Sequence, residues 1–364
     1  MPKLILSGRI VELREGQTVL EALLEAGVEV PYSCRSGVCQ TCKMQAIDGD
    51  IPPEAQEGLL ATEKAENFFL PCVAKPTADL SLRLPTEKQR FPSELLELER
   101  VTPEILILRL KKPEGYRYHP GQFLRLYREV RQGGVQEPRR HGVPPGKAQG
   151  NRTMESQRPE LTKEGLESLR QGGPKGTFRC YSLASLPEEP FLELHIKRVP
   201  GGHFSTWLLE KARSGEAIEI GGAEGSCFYL SDFADRSLLL AGTGTGLAPL
   251  YGIVRDALRQ GHRGEIFLYH GAPSPQGLYL HEKLQKLARQ HENFHYLGVV
   301  LEGESEGAVC GRLEEVIHKR HASLKGWCCY FCGPPNVVEP LKMKAFLAGA
   351  SLKEIYSDPF LPSG

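Results

Sequence analysis

Three cysteines near the start of the chain, in Pro31-Tyr-Ser-Cys34-Arg-Ser-Gly-Val-Cys39-Gln-Thr-Cys42, are spaced C-x4-C-x2-C, and Cys72 follows about thirty residues later. This is the ligand spacing of a [2Fe–2S] cluster. A loop that wraps such a cluster must present thiolates to both irons from a short run of backbone. Gly37 and the small Ser33, Ser36 and Thr41 let that backbone come close and aim N–H groups at the sulfurs. Those hydrogen bonds, with cluster charge and exposure, set the potential. The alternatives are a zinc site or buried free thiols. Zinc sites usually come as two C-x2-C pairs or with histidines, and no His lies among these residues. The cluster is therefore the reading adopted, with Cys34, Cys39, Cys42 and Cys72 as ligands.

At 364 residues the chain is long enough for two or three domains. Its 45 basic and 45 acidic residues cancel and 40% of its residues are hydrophobic, which points neither to a disordered chain nor to a nucleic-acid binder. The N-terminus shows no signal-type segment, and no apolar run is long enough to span a bilayer. A soluble, cytoplasmic, monomeric protein without a membrane partner is expected. Of ten cysteines, four belong to the cluster. The rest are scattered through a long chain, as expected of reduced core thiols.

Residues 1–86 read as the cluster domain. Leu4-Ile-Leu and Arg9–Leu13 read as strands. Thr18-Val-Leu-Glu21 is a capping box opening a helix that Gly27 closes. A second helical stretch is expected over Ala55–Glu66, and Ala78–Leu84 alternates like a final strand. Strands around one helix, with a long ligand loop carrying all four cysteines, resemble the β-grasp ferredoxin domain.

After a polar, Pro-containing linker, residues 93–231 carry six expected strands, Glu94–Val101, Ile105–Leu110, Gln122–Tyr127, Phe178–Leu183, Leu192–Val199 and Ala217–Ile220. Six strands with few helices suggest an antiparallel barrel. Arg179-Cys-Tyr-Ser182 lies on one of them and is, alone, compatible with an ordinary strand. Lys197-Arg-Val-Pro-Gly201-Gly-His-Phe-Ser205 runs into a helix, and a Gly pair before a hydroxyl at a helix start suits a phosphate. Placed after Pro120-Gly-Gln-Phe, the two motifs together resemble the FAD domain of the ferredoxin–NADP reductase superfamily. That resemblance implies that Arg179 binds the FAD pyrophosphate, that Tyr181 stacks on the isoalloxazine, and that Ser182 bonds near its N5. Gly202 and Ser205 would hold the pyrophosphate. Lys197 is a further candidate, or simply the solvated end of a strand.

One stretch departs from that family. Between Arg128 and Thr177 lie roughly fifty residues rich in Gly, Pro, Arg and Gln, with no aromatic, where relatives make a short connection. The insertion (128–177) is expected to be loop-like, with one short helix over Glu160–Arg170. It either docks a partner, lies over the flavin edge, or is a tolerated surface insertion.

Residues 236–364 alternate strands and helices. Ser237-Leu-Leu-Leu-Ala-Gly reads as a buried parallel strand that runs into Gly242-Thr243-Gly244-Thr245-Gly246-Leu-Ala-Pro249 and a helix. This is a doubly wound parallel sheet, in which a dinucleotide lies over the strand ends beside the Gly-rich turn. The glycines would let backbone approach a pyrophosphate. Cys332-Gly333-Pro334-Pro335 ends a later strand, and the two motifs in this order resemble the NAD(P) domain of the same superfamily. By that resemblance Thr243 and Cys332 flank the nicotinamide, with Gly333 and Pro334 beside them. Cys329 and Cys332 face opposite sides of a strand, so this C-x2-C is not read as a metal site. Cys180, Cys227, Cys310, Cys328 and Cys329 are expected to be structural. The resemblance also implies that an aromatic near the C-terminus covers the flavin; Phe360 is the candidate and Tyr356 the alternative. A 2′-phosphate needs Arg or Lys after the second strand. Here His270-Gly-Ala-Pro-Ser-Pro-Gln-Gly offers none, which favours NADH over NADPH.

Taken together, the chain is expected to be multidomain α+β and α/β: a β-grasp ferredoxin domain, an antiparallel β-barrel FAD domain and a doubly wound parallel-sheet NAD domain. In that order the domains resemble the reductase components of bacterial multicomponent oxygenases. The resemblance implies electron flow from NADH to FAD to the [2Fe–2S] cluster to a protein acceptor such as an oxygenase component. A reductase serving a deoxysugar dehydratase is an alternative. A redox sensor is another, disfavoured because a sensor needs no hydride donor. Sodium-pumping quinone reductase subunits share the domains but carry a membrane anchor. The redox chemistry belongs to the cofactors, and no protein acid–base pair is expected.

Overall fold

The computed structural model describes residues 1–6, 8–83, 89–128 and 177–360. Three sheets organise it.

The first sheet contains β1 (Lys3–Leu6), β2 (Arg9–Glu12), β3 (Met44–Asp48), β4 (Phe68–Phe69) and β5 (Leu80–Arg83), in the order β2-β1-β5-β3-β4. β1 and β5 are parallel and the other pairs antiparallel. One helix, Val19–Glu25, packs on the sheet through Val19, Leu20, Ala22 and Leu23, which join Leu4, Leu6, Phe69, Leu80 and Leu82 in one core. Both reciprocal bonds of its capping box are present at Thr18 and Glu21. At its other end Gly27 takes φ 70°, and the Val28 and Gly27 N–H groups bond back to Leu23 and Leu24, a left-handed helix stop. The helix expected over Ala55–Glu66 is instead two short pieces, a 3-10 turn at Pro53–Gln56 and a helix at Ala61–Ala65. Gly58 at φ 78° lies between them and breaks the ladder.

The second sheet contains β6 (Arg90–Arg100), β7 (Ile105–Lys111), β8 (Phe123–Arg128), β9 (Thr177–Ser182), β10 (Phe191–Lys197) and β11 (Ala217–Gly221). Its antiparallel order is β10-β7-β6-β11-β8-β9, and a bridge between Leu183 and Leu194 brings the two edges together, so the barrel nearly closes. Inward residues alternate: Leu106, Leu108 and Leu110 on β7, Leu124 and Leu126 on β8, Leu192, Leu194 and Ile196 on β10. β6 begins at Arg90, ahead of the expected strand, because Arg90–Glu94 already pairs with β11. Arg128 and Thr177 are register partners on β8 and β9. The insertion therefore leaves and re-enters the barrel at one rung. Its expected helix at Glu160–Arg170, and any docking role, lie outside the described residues.

The third sheet contains β12 (Leu238–Thr243), β13 (Ile266–Ala272), β14 (Phe294–Val300), β15 (Ala308–Cys310), β16 (Cys328–Gly333) and β17 (Ile355–Pro359), all parallel, in the order β15-β14-β13-β12-β16-β17. Helices Leu247–Arg259, His281–Gln290, Leu313–Arg320 and Pro335–Leu347 cover it. Two strands were not expected. β15 is only three residues long, and β17 is the C-terminal stretch, which pairs with β16 rather than fraying. Among the described residues no helix is long and apolar enough to cross a membrane.

The barrel and the parallel sheet share a tight contact. Gly252, in the helix after β12, is where a Cβ would meet the Leu183 carbonyl at 3.0 Å. Arg255 of that helix pairs with Glu189 at 2.6 Å. The ferredoxin domain joins them through Leu60 and Ala61, packed on the core that includes Cys227 and Leu250, and through a 3.0 Å contact between Glu66 and His119.

Candidate active site and metal loop

The cysteine loop is built from strained backbone. Arg35 and Gln40 take φ 56° and 57°, and Gly37 takes φ 79° with Leu70 and Val73 behind it. These turns point N–H groups inward: Cys39 N–H to Cys34 Sγ at 3.3 Å, Cys34 N–H to Cys39 Sγ at 3.4 Å, and Ser36 N–H to Cys34 Sγ at 3.4 Å. Ser36 side-chain bonding, joined by the Cys39 N–H, holds the Cys34 thiol down at about 5. Thr41, then the Cys34 N–H, lowers Cys39. Cys42 is buried with Cys72 against it, and burial pushes its thiol up to about 11.

The four thiols thus form two pairs, an exposed Cys34–Cys39 pair and a buried Cys42–Cys72 pair. Two thiolates per iron is the donor set of a two-iron cluster, so these residues fit the group.

A cavity of about 820 Å³ opens between the ferredoxin domain and the barrel. Lys43, the neighbour of Cys42, lines one side. Phe123, the β8 partner of Ser182, lines the other.

Along β9, Arg179 is half-buried and donates to the Phe178 carbonyl at 2.8 Å. Tyr181 is half-buried with its ring centroid 6.2 Å from that of Phe204, and burial raises its phenol. The helix His203–Glu210 starts beside them with Gly202 as its N-cap. Its first ladder bond is Thr206 N–H to Gly202 C=O, so the N–H groups of His203, Phe204 and Ser205 precede the ladder. Ser205 departs from expectation: its hydroxyl is buried and accepts the Val199 N–H at 3.1 Å, which shapes the turn from within. A Cβ at Gly202 would meet that hydroxyl at 3.0 Å. Lys197 is exposed, 3.8 Å from Glu104, a surface pair.

At the C-terminal ends of β12 and β16, where strand order reverses, the Gly-rich turn divides its labour. Cβ atoms at Gly242 and Gly246 would lie 2.5 and 2.3 Å from the Cys332 carbonyl, so these glycines admit the neighbouring strand. Only Gly244, at φ 54° and with nothing within 4 Å, leaves backbone open, whereas the sequence suggests this for all three glycines. Thr243 and Thr245 are half-buried beside it. Gly271 and Gly333 crowd Thr243 from the two adjacent strands. Cys332 and Gly333 are buried, with Pro334 next to them at the start of a helix.

The C-terminal strand completes the site. The Phe360 N–H donates to the Gly333 carbonyl at 2.8 Å and its side chain is half-buried. Tyr356 lies in the core, stacked on Tyr330 at 5.1 Å, and so is not available to cover a ligand. Asp358, opposite Cys332 on β16, accepts the Ser182 hydroxyl at 2.8 Å, and burial raises its carboxyl. Ser182 is singled out by its motif in the sequence, whereas Asp358 is not. The one available signal was an acidic residue two positions before Phe360. Cys180 and Cys310 also differ from expectation, being exposed rather than core thiols, whereas Cys227, Cys328 and Cys329 are buried.

Comparison with known proteins agrees with this layout. Residues 5–77 match the 2Fe-2S iron-sulfur cluster binding domain, 169–229 the oxidoreductase FAD-binding domain, and 240–342 the oxidoreductase NAD-binding domain. The chain is 31% identical to the naphthalene 1,2-dioxygenase system ferredoxin–NAD(P)(+) reductase component of Pseudomonas putida, over 98% of both chains. It is 31% identical to the aromatic O-demethylase reductase subunit of an Amycolatopsis species, over 98% of this chain and 97% of the relative. Among solved structures, the Amycolatopsis cytochrome P450 reductase GcoB superposes with a TM-score of 0.62 at 27% identity, covering 100% of this chain and 99% of that one. The three cofactor domains, their order and this end-to-end likeness place the chain in the family of iron–sulfur flavoprotein ferredoxin–NAD(P)+ reductase components.

Proposed function

We propose that the protein oxidises NADH and delivers single electrons, through FAD and a [2Fe–2S] cluster, to a separate oxygenase component. The observation that carries this reading is the run of cluster-binding, FAD-binding and NAD-binding domains in one chain, with the Ser182–Asp358 hydrogen bond tying the barrel's Arg-x-Tyr-Ser strand to the strand ends of the dinucleotide sheet. FAD and the cluster, when bound, supply the conversion of a two-electron donor into single electrons.

The protein's residues hold and orient. Cys34, Cys39, Cys42 and Cys72 hold the cluster, with the Cys34–Cys39 pair at the surface where an acceptor can approach. Arg179 and the helix start at Gly202 would hold the FAD pyrophosphate, and Tyr181 would stack on the flavin. Ser205 acts through the turn it closes. Because the Ser182 hydroxyl donates its hydrogen bond to Asp358, its oxygen lone pairs would remain as the acceptor toward the flavin. Thr243, Gly244 and Thr245 would receive the dinucleotide, Cys332 and Phe360 would bound the nicotinamide, and Gly242, Gly246, Gly333 and Pro334 set the backbone around it. Lys197 contributes charge only. The oxygenase acceptor follows from the likeness to the reductase component of a naphthalene 1,2-dioxygenase system. NADH follows the lack of a cation after β13.

Steady-state NADH oxidation with ferricyanide, then with a purified oxygenase component, tests the reading. Sustained turnover with both supports it. A single reduction without turnover would instead identify a sensor.

A further inference from the structure

Outside the metal loop, one pair of thiols is in sulfur contact among the described residues: Cys227 Sγ and Cys332 Sγ are 3.7 Å apart and both are buried. They come from different units. Cys227 lies on the strap that leads from the barrel to the parallel sheet, and Cys332 ends β16. Both backbones are clamped. The Cys227 carbonyl fills the place of a Cβ at Gly121, 2.4 Å away, and the next ring, Phe228, stacks on His119 at 4.3 Å. The Cys332 carbonyl is locked against Gly242 and Gly246. Neither cysteine can withdraw without moving a strand. Side-chain rotation alone must bring the sulfurs roughly 1.7 Å closer, to the ~2.05 Å of a disulfide.

We propose that Cys227 and Cys332 form a reversible disulfide, made by hydrogen peroxide, that stops NADH oxidation. One sulfur loses its proton and attacks a peroxide oxygen. The S–O bond forms, the O–O bond breaks, and the leaving hydroxide takes up the proton as water. The second sulfur then attacks the sulfenic sulfur. The S–S bond forms, the S–O bond breaks, and a second water leaves. Two thiols are oxidised by two electrons and one peroxide is reduced to two waters; a dithiol reductant reverses the bond by exchange. Burial keeps the Cys332 thiol protonated, so the pair answers sustained rather than trace oxidant. The loss of activity rests on the reading of Cys332 as a wall of the nicotinamide pocket. A sulfur drawn more than an ångström from that wall costs on the order of 100-fold in rate.

The test uses the holoenzyme, treated with hydrogen peroxide and assayed with NADH and ferricyanide, which draws electrons from the flavin and so is blind to cluster damage. Non-reducing peptide mapping by mass spectrometry reads the bond itself. The expected result is a Cys227–Cys332 linked peptide that accumulates as activity falls, with both reversed by dithiothreitol. Cys227→Ser should keep untreated activity and lose the sensitivity. An inactivated sample without the linked peptide, a linked peptide at full activity, or a Cys227→Ser variant as sensitive as the parent overturns the proposal. Failure of the underlying functional reading shows separately, as absence of NADH oxidation before any peroxide is added.

Discussion

The Ser182 hydroxyl and the Asp358 carboxylate meet at 2.8 Å although 176 residues separate them in sequence. The bond crosses from the end of β9 in the barrel to β17 in the parallel sheet, on the same rung as Cys332. It is therefore made only when the two units are assembled. Asp358→Ala leaves the hydroxyl without its acceptor and free to turn. NADH-dependent ferricyanide reduction is expected to fall on the order of 100-fold with flavin content unchanged. Stopped-flow flavin reduction measures it, and an unaltered rate removes Asp358 from the site.

The same carboxyl titrates above its ordinary range because it is buried, with Ser182 opposing. An acid raised in the folded state costs stability once pH exceeds its unfolded value, and the cost is complete above the folded value. Asp358→Asn should thus melt above the parent at pH 7, with the gap closing as pH falls through the carboxylate range. Thermal denaturation at pH 7 and pH 4 checks this; a gap independent of pH contradicts it.

Glu193 behaves in the opposite sense. Burial pushes its carboxyl up, but His195 and Arg109 together outweigh this and hold it down at about 2, against an ordinary 4.5. Its contribution is present in full above the ordinary value and is lost as pH falls from there through about 2. Glu193→Gln is expected to destabilise the barrel by about 3 kcal/mol at pH 7 and by progressively less in acid. Urea denaturation across pH measures both the size and the trend.

Much of this was legible in the chain. The capping box at Thr18, the cysteine spacing and the two Gly-rich motifs are local signals, each set by backbone within a few residues, and each falls where its spacing indicates. The three-residue β15 and the split at Gly58 were not legible, because too few residues carry the pattern. Asp358 was hidden for another reason. Its partner is remote in sequence, and nothing local distinguishes a buried hydrogen-bonded carboxyl from a solvated one. Ser205 shows a limit of motif reading too: the motif marks the right turn, but the hydroxyl faces Val199.

Because that hydroxyl closes the turn, Ser205→Ala should cost about 1 kcal/mol of stability and loosen FAD together. Flavin retained on gel filtration, compared with melting temperature, reads the two effects. Unchanged flavin content with lowered stability would confine Ser205 to the fold.

Removing a cluster ligand separates the two halves of electron flow. Cys39→Ser should abolish the cluster absorbance and reduction of a protein acceptor, yet leave ferricyanide reduction by NADH near the parent rate. Loss of both activities would mean that the flavin site depends on the folded metal loop.

The path from NADH through flavin to cluster can be followed in one experiment, an anaerobic titration with NADH read in the visible spectrum with iron and flavin assayed on the same sample. Two irons and one FAD per chain are expected, with flavin bleaching and cluster reduction in the same titration. A protein that purifies without flavin under conditions that retain iron, or whose flavin bleaches while the cluster stays oxidised, would contradict that path.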